Sequence, residues 1–121
     1  MKYMLLVYMD EKVLTDTERQ DCYVESAQLT QDLNAHGHYL GASPLHSVST
    51  ATSLRVRDGK PLVTDGPFAE TREQLGGFFL IEAKDLAEAN AIAARIPSAL
   101  TGTIEVRPVV EEMAAKSLAA D

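Results

Sequence analysis

Two stretches of the chain are apolar without alternation. Tyr3 to Met9 reads Tyr-Met-Leu-Leu-Val-Tyr-Met, and Phe78 to Ile81 reads Phe-Phe-Leu-Ile. An unbroken apolar strand expects cover on both faces. Thr52 to Arg57 alternates instead, with Leu54 and Val56 on one side and Arg55 and Arg57 on the other. Asp58-Gly59 then predicts a tight hairpin turn, and Pro61 to Thr64 returns as its partner. His38 to Ala42 predicts a short strand followed by a Ser43-Pro44 turn, and Thr103 to Val109 predicts a last strand with Ile104 and Val106 inward.

Helical spacing appears twice. Thr15 and Glu18 fit a capping box, which opens a helix to about Ala35. Cys22, Ser26, Leu29 and Leu33 share its expected buried stripe, flanked by Tyr23 and Ala27. Gly37 suits the residue after its end, because glycine takes positive φ without a Cβ clash. Asp85 and Glu88 cap a second helix that buries Ala89, Ile92, Ala93 and Ile96, and Pro97 stops it.

The order is strand, helix, strand, hairpin, strand, helix, strand. With the hairpin set aside this is βαββαβ, an α+β fold of ferredoxin-like arrangement. Both helices then lie on one side of the sheet. Leaving four large side chains wet on the other side would forgo about 6–12 kcal/mol, at about 1.5–3 kcal/mol each. A second copy packed sheet to sheet removes that loss, which predicts a homodimeric α+β barrel with a cleft near the interface.

The 121 residues fit one domain. The net charge of −7 opposes direct binding to nucleic acid or to an anionic membrane. One cysteine, Cys22, permits no internal disulfide and points to a reducing cytoplasm. On the helix stripe it reads as structural rather than catalytic. The opening apolar run ends in Asp10-Glu11-Lys12 and is too short to span a bilayer.

Asp65 is the foremost candidate for chemistry. It sits beside Gly66 and Pro67, where a backbone approaches a ligand closely, and it fits a general base or an anchor. The competing assignment is a turn in which its carboxylate accepts backbone N–H groups. Glu70, Thr71 and Phe68 follow as candidate ligand-binding residues. His38 is the candidate acid–base partner, with a side chain that titrates near neutrality. His36 and His38 flank the expected helix end at Gly37, so they do not align as metal ligands, and we expect no metal and no cofactor. His46 reads as a solvated loop residue.

Val63 to Phe78, Val-Thr-Asp-Gly-Pro-Phe-Ala-Glu-Thr-Arg-Glu-Gln-Leu-Gly-Gly-Phe, closely resembles the signature of the DGPF branch of the YCII-related family. Met1 to Tyr8, Ala51 to Gly59, Ala93 to Pro97 and Ile104 to Val109 resemble it as well. The resemblance covers residues 1–113 and leaves 114–121 as an Ala-rich tail, expected to be frayed helix at most. It implies a dimeric α+β barrel. The wider family is associated with a histidine–aspartate pair, and one relative eliminates chloride from a chlorinated aromatic diol. That histidine falls in the first helix, and residues 22–32 here contain none. Members of the branch are often encoded beside extracytoplasmic-function sigma factors. Three functions follow as expectations: binding or transforming a small molecule in a dimer-interface cleft, a regulatory module that meets a sigma factor, or a structural dimer without ligand. The sequence names no reaction.

Overall fold

The two strands of unbroken apolar character occupy the two central positions of the sheet. The computed structural model describes residues 1–111. The strands are β1 (Lys2–Met9), β2 (Tyr39–Pro44), β3 (Thr52–Arg57), β4 (Lys60–Asp65), β5 (Gln74–Glu82) and β6 (Thr103–Pro108). The helices are α1 (Asp16–Ala35) and α2 (Leu86–Ala93), with short 3-10 turns at Val48–Thr50 and Pro97–Leu100. An antiparallel sheet runs in the order β2-β5-β1-β6, and β3 and β4 form a separate two-stranded ribbon. This is the ferredoxin-like α+β arrangement with an inserted hairpin. The tail expected at 114–121 lies outside the described residues.

One face of the sheet is sealed by the helices. Tyr3, Leu5 and Val7 of β1 and Phe79 and Ile81 of β5 pack there against Leu29 and Leu33 of α1 and Ala89, Ile92 and Ala93 of α2. The expected cover on the second face does not come from the described residues. Met4 pairs with Leu80 and Leu6 with Phe78 on that face, and all four remain half-buried.

Local chemistry accounts for the element ends. Glu18 N donates to Thr15 Oγ1 at 3.1 Å, and Thr15 N donates to Glu18 Oε1 at 3.1 Å, closing the capping box. The first of these motifs' partners, the Thr15 backbone, holds the Glu18 carboxyl below its ordinary range. Asp85 Oδ1 accepts from Glu88 N at 2.9 Å to start α2. Asp58 and Gly59 both take positive φ, 53° and 74°, as a type I′ turn requires.

Three expectations need correction. Ser43 and Pro44 do not turn; they extend β2 and pair with Phe78 and Gly77. β5 begins at Gln74, four residues before the apolar run at Phe78, and Gly76 forms a bulge between the pairs Val7–Gly77 and Tyr8–Leu75. α2 ends at Ala93, and Ile96 reaches the core from the segment that leads into Pro97.

Candidate functional site

α1 is fastened to the sheet by its C-terminal half. Leu29 and Leu33 are buried, whereas Ser26 and Cys22, one and two turns earlier on the same stripe, are only half-buried. Between that N-terminal half and the sheet lies a cleft of about 230 Å³. The expected buried stripe is therefore correct for its last two residues and opens into a cavity at its first two.

The floor explains why space remains. Gly76 and Gly77 contribute no side chains beneath α1. A Cβ on Gly77 would stand 3.0 Å from Ser43 O, so the approach of β2 demands glycine there. Tyr23, Tyr39 and Phe79 supply aromatic walls, with Val7, Met9 and Ile96 among the aliphatic ones.

Few polar groups face this cavity. Ser98 is 7% exposed, and its hydroxyl has no hydrogen-bond partner among the described residues. No side-chain oxygen or nitrogen there is both sealed and unpaired, so this hydroxyl keeps some exposure, and Ser98 is among the residues that line the cleft. Arg19 stands at one side, donating to Glu11 O at 3.2 Å and to Asp16 Oδ1 at 3.4 Å. The Cys22 thiol is pushed above its usual range by burial first, and then by the carboxylates of Glu25, Asp21 and Glu18. It is a poor nucleophile at neutral pH. Among the described lining residues there is no carboxylate and no imidazole. The arrangement holds an apolar body and hydrogen-bonds one end of it; it carries no side chain suited to general acid–base work at neutral pH.

The residues singled out by sequence lie elsewhere. Asp65 ends β4, is exposed, and its carboxylate makes neither hydrogen bond nor ion pair among the described residues. His38 precedes β2, and its Nδ1 lies 2.8 Å from Glu82 O and 3.9 Å from Glu88 Oε1. It sits at the Glu82 end of β5, while the loop after Asp65 approaches the Gln74 end, nine strand residues or about 26 Å away. The structure does not bring Asp65 and His38 together within one chain. Phe68 and Thr71 do meet, with His46, in a broad hollow of about 660 Å³ beside Tyr8 and Leu75. Glu70 is exposed next to it in the chain. Within the described residues, no group of three His, Cys, Asp or Glu side chains stands ready to hold a metal.

Much of the signature segment serves to hold its own loop. Gln74 Nε2 donates to Thr71 O at 2.7 Å and to Ala69 O at 3.1 Å. Thr71 Oγ1 donates to Glu73 O at 2.6 Å, and Glu73 Oε1 accepts from Thr103 Oγ1 at 2.8 Å. Ser53 Oγ donates to Gly66 O at 2.8 Å, and the Arg55 guanidinium lies 5.0 Å from the centre of the Phe68 ring. Because Asp65 takes no part, both Asp65→Asn and Asp65→Ala are expected to change stability by less than about 0.5 kcal/mol in urea unfolding. A loss confined to the Ala variant, in the range of about 0.5–2 kcal/mol, would give Asp65 the capping role after all.

These features define a small ferredoxin-like domain with a ligand-sized apolar cleft beneath its long helix. The YCII-related domain family matches residues 1–113, and the chain belongs to that family. An uncharacterized protein of Rhizobium meliloti (strain 1021) is similar to it, 38% identical over 118 residues that cover 90% of this chain and 92% of the relative.

Proposed function

We propose that this protein binds a small, mainly apolar molecule in the cleft between α1 and the sheet. The observation that carries the reading is the Ser98 hydroxyl, almost buried yet unpartnered among the described residues, at an aromatic-lined cavity. The hydroxyl keeps enough exposure to be reached from the cleft, so a ligand group or an ordered water can hydrogen-bond it. The volume is below the roughly 300–1,000 Å³ of drug-sized sites, which suits a molecule of one ring or a short chain.

A panel of small aromatic and aliphatic compounds tests this by thermal shift, since a ligand that binds only the native state raises its stability. A binder should slow alkylation of Cys22, whose raised pKa already makes that reaction slow at neutral pH. Ser98→Ala should weaken binding by about 2–12-fold, the worth of one hydrogen bond. Ala27→Trp, on the exposed rim of the cleft, should abolish it while the fold persists. A compound that binds Ala27→Trp with wild-type affinity would place the site elsewhere.

The bare sheet face supports a second feature of the same reading. Met4, Leu6, Phe78 and Leu80 form an apolar panel at the centre of the sheet, uncovered by the described chain. A homodimer that stacks two such panels removes them from water. The string Asp65-Gly66-Pro67-Phe68 supports placement in the DGPF branch.

A further inference from the structure

The β3–β4 ribbon has two unlike faces. Pairing sets Leu54 opposite Val63 and Val56 opposite Pro61 on one of them. Arg55 and Arg57 and their neighbours Leu62 and Lys60 occupy the other. Leu54, Val56 and Val63 are 61%, 56% and 62% exposed. Two strands of six residues do not sustain an apolar face in water unaided. Neither strand makes more than marginal contact with any other described element.

We propose that this ribbon is an arm of the homodimer: its Leu54–Val56–Val63 face packs on the second copy, and the hollow between Tyr8 and Phe68 lies along the seam the arm closes. The inference rests on the sheet-to-sheet dimer given above and adds to it. Continuity supports it. Tyr8 and Leu75 form the last pair of the bare sheet face, and they also wall the hollow whose other side is Phe68 at the base of the ribbon. One partner can therefore cover both surfaces.

Area supports it too. At a strand spacing of about 4.8 Å and a rise of about 3.3 Å per residue, the flat footprint of the four sheet strands, eight, six, nine and six residues long, is about 460 Å². A stable interface takes about 800 Å² from each partner. The sheet face alone falls well short, and the ribbon adds about 190 Å² more by the same geometry.

Sedimentation velocity across nanomolar to micromolar protein tests the arm. Wild type is expected to be a dimer, and Leu54→Glu and Val63→Glu are each expected to raise its dissociation constant by about tenfold or more, as for residues central to an interface. Circular dichroism of the monomeric fraction should remain that of wild type, because both side chains are exposed in the single chain. A monomeric wild type would remove the dimer and the arm together. A dimeric wild type with unchanged affinity in both variants would remove the arm alone. A benzophenone side chain placed at Leu54 gives an independent readout: crosslinks to a second copy support the arm. Crosslinks only within the chain, residues 112–121 included, or only to another protein overturn it.

Discussion

Gly102→Ala is expected to destabilise the protein by more than about 3 kcal/mol, the upper range for forcing extra atoms into a packed site. An added Cβ would clash with Tyr8 O and stand 3.2 Å from Ser98 O and 3.3 Å from Met9 Cα. All three are backbone atoms, so no side chain can swing aside. Gly102 is also held in place, because its N–H donates to Ser98 O at 2.7 Å. The only escape is for β6 to leave β1, which breaks the pair Tyr8–Thr103 next to the corner. Total stabilities of about 5–15 kcal/mol leave little margin for that. The melting temperature should fall by at least about 10 °C, at about 3–5 °C per kcal/mol for this length. A loss below about 1 kcal/mol in urea unfolding would show that the corner relaxes freely.

Leu33→Ala is expected to cost about 2–5 kcal/mol, the range for a large-to-small change at a fully buried site. Leu33 is 0% exposed, and it and Leu29 are the buried residues of a twenty-residue helix. The Arg95–Asp32 ion pair beside it does not compensate. It holds the Asp32 carboxyl below its ordinary range, but both side chains are substantially exposed, and solvent screens such a pair. Loosening this anchor should also widen the cleft above Gly76 and Gly77. Any ligand found for the cleft should therefore bind Leu33→Ala more weakly at a temperature where the variant is still folded. Unchanged stability would mean that α1 is held by its other half, against the burial pattern.

The central strands, both capping motifs and the Asp58–Gly59 turn are legible in the sequence because each depends on residues within a few positions of one another. Apolar content alone marked β1 and β5 as strands that expect cover on both faces. The extension of β2 through Ser43 and Pro44 was not legible, since the bonds that fix it come from Phe78 and Gly77, far along the chain. The cleft was hidden for a related reason. Cys22 and Ser26 keep the same helical spacing as Leu29 and Leu33, and only the side-chain-free floor at Gly76 and Gly77 shows that they face a gap. Ser98 carries no pattern at all: it follows Pro97 in a 3-10 turn and gains its meaning from burial. Asp65 drew attention through its glycine and proline neighbours, and those neighbours shape the loop without placing the carboxylate in the cleft.

Strands left bare along their sides invite further strands to add. Here each such side carries an obstacle. β2 ends in Pro44, β4 opens with Lys60 and Pro61, and β6 ends in Pro108, each proline lacking the N–H that a new ladder would need. β3 presents Arg55 and Arg57. Edge-to-edge growth has no natural stopping point. These prolines and charges guard the chain against polymerising through its strand edges, and loss of the prolines would expose it to fibre formation before it changed its fold.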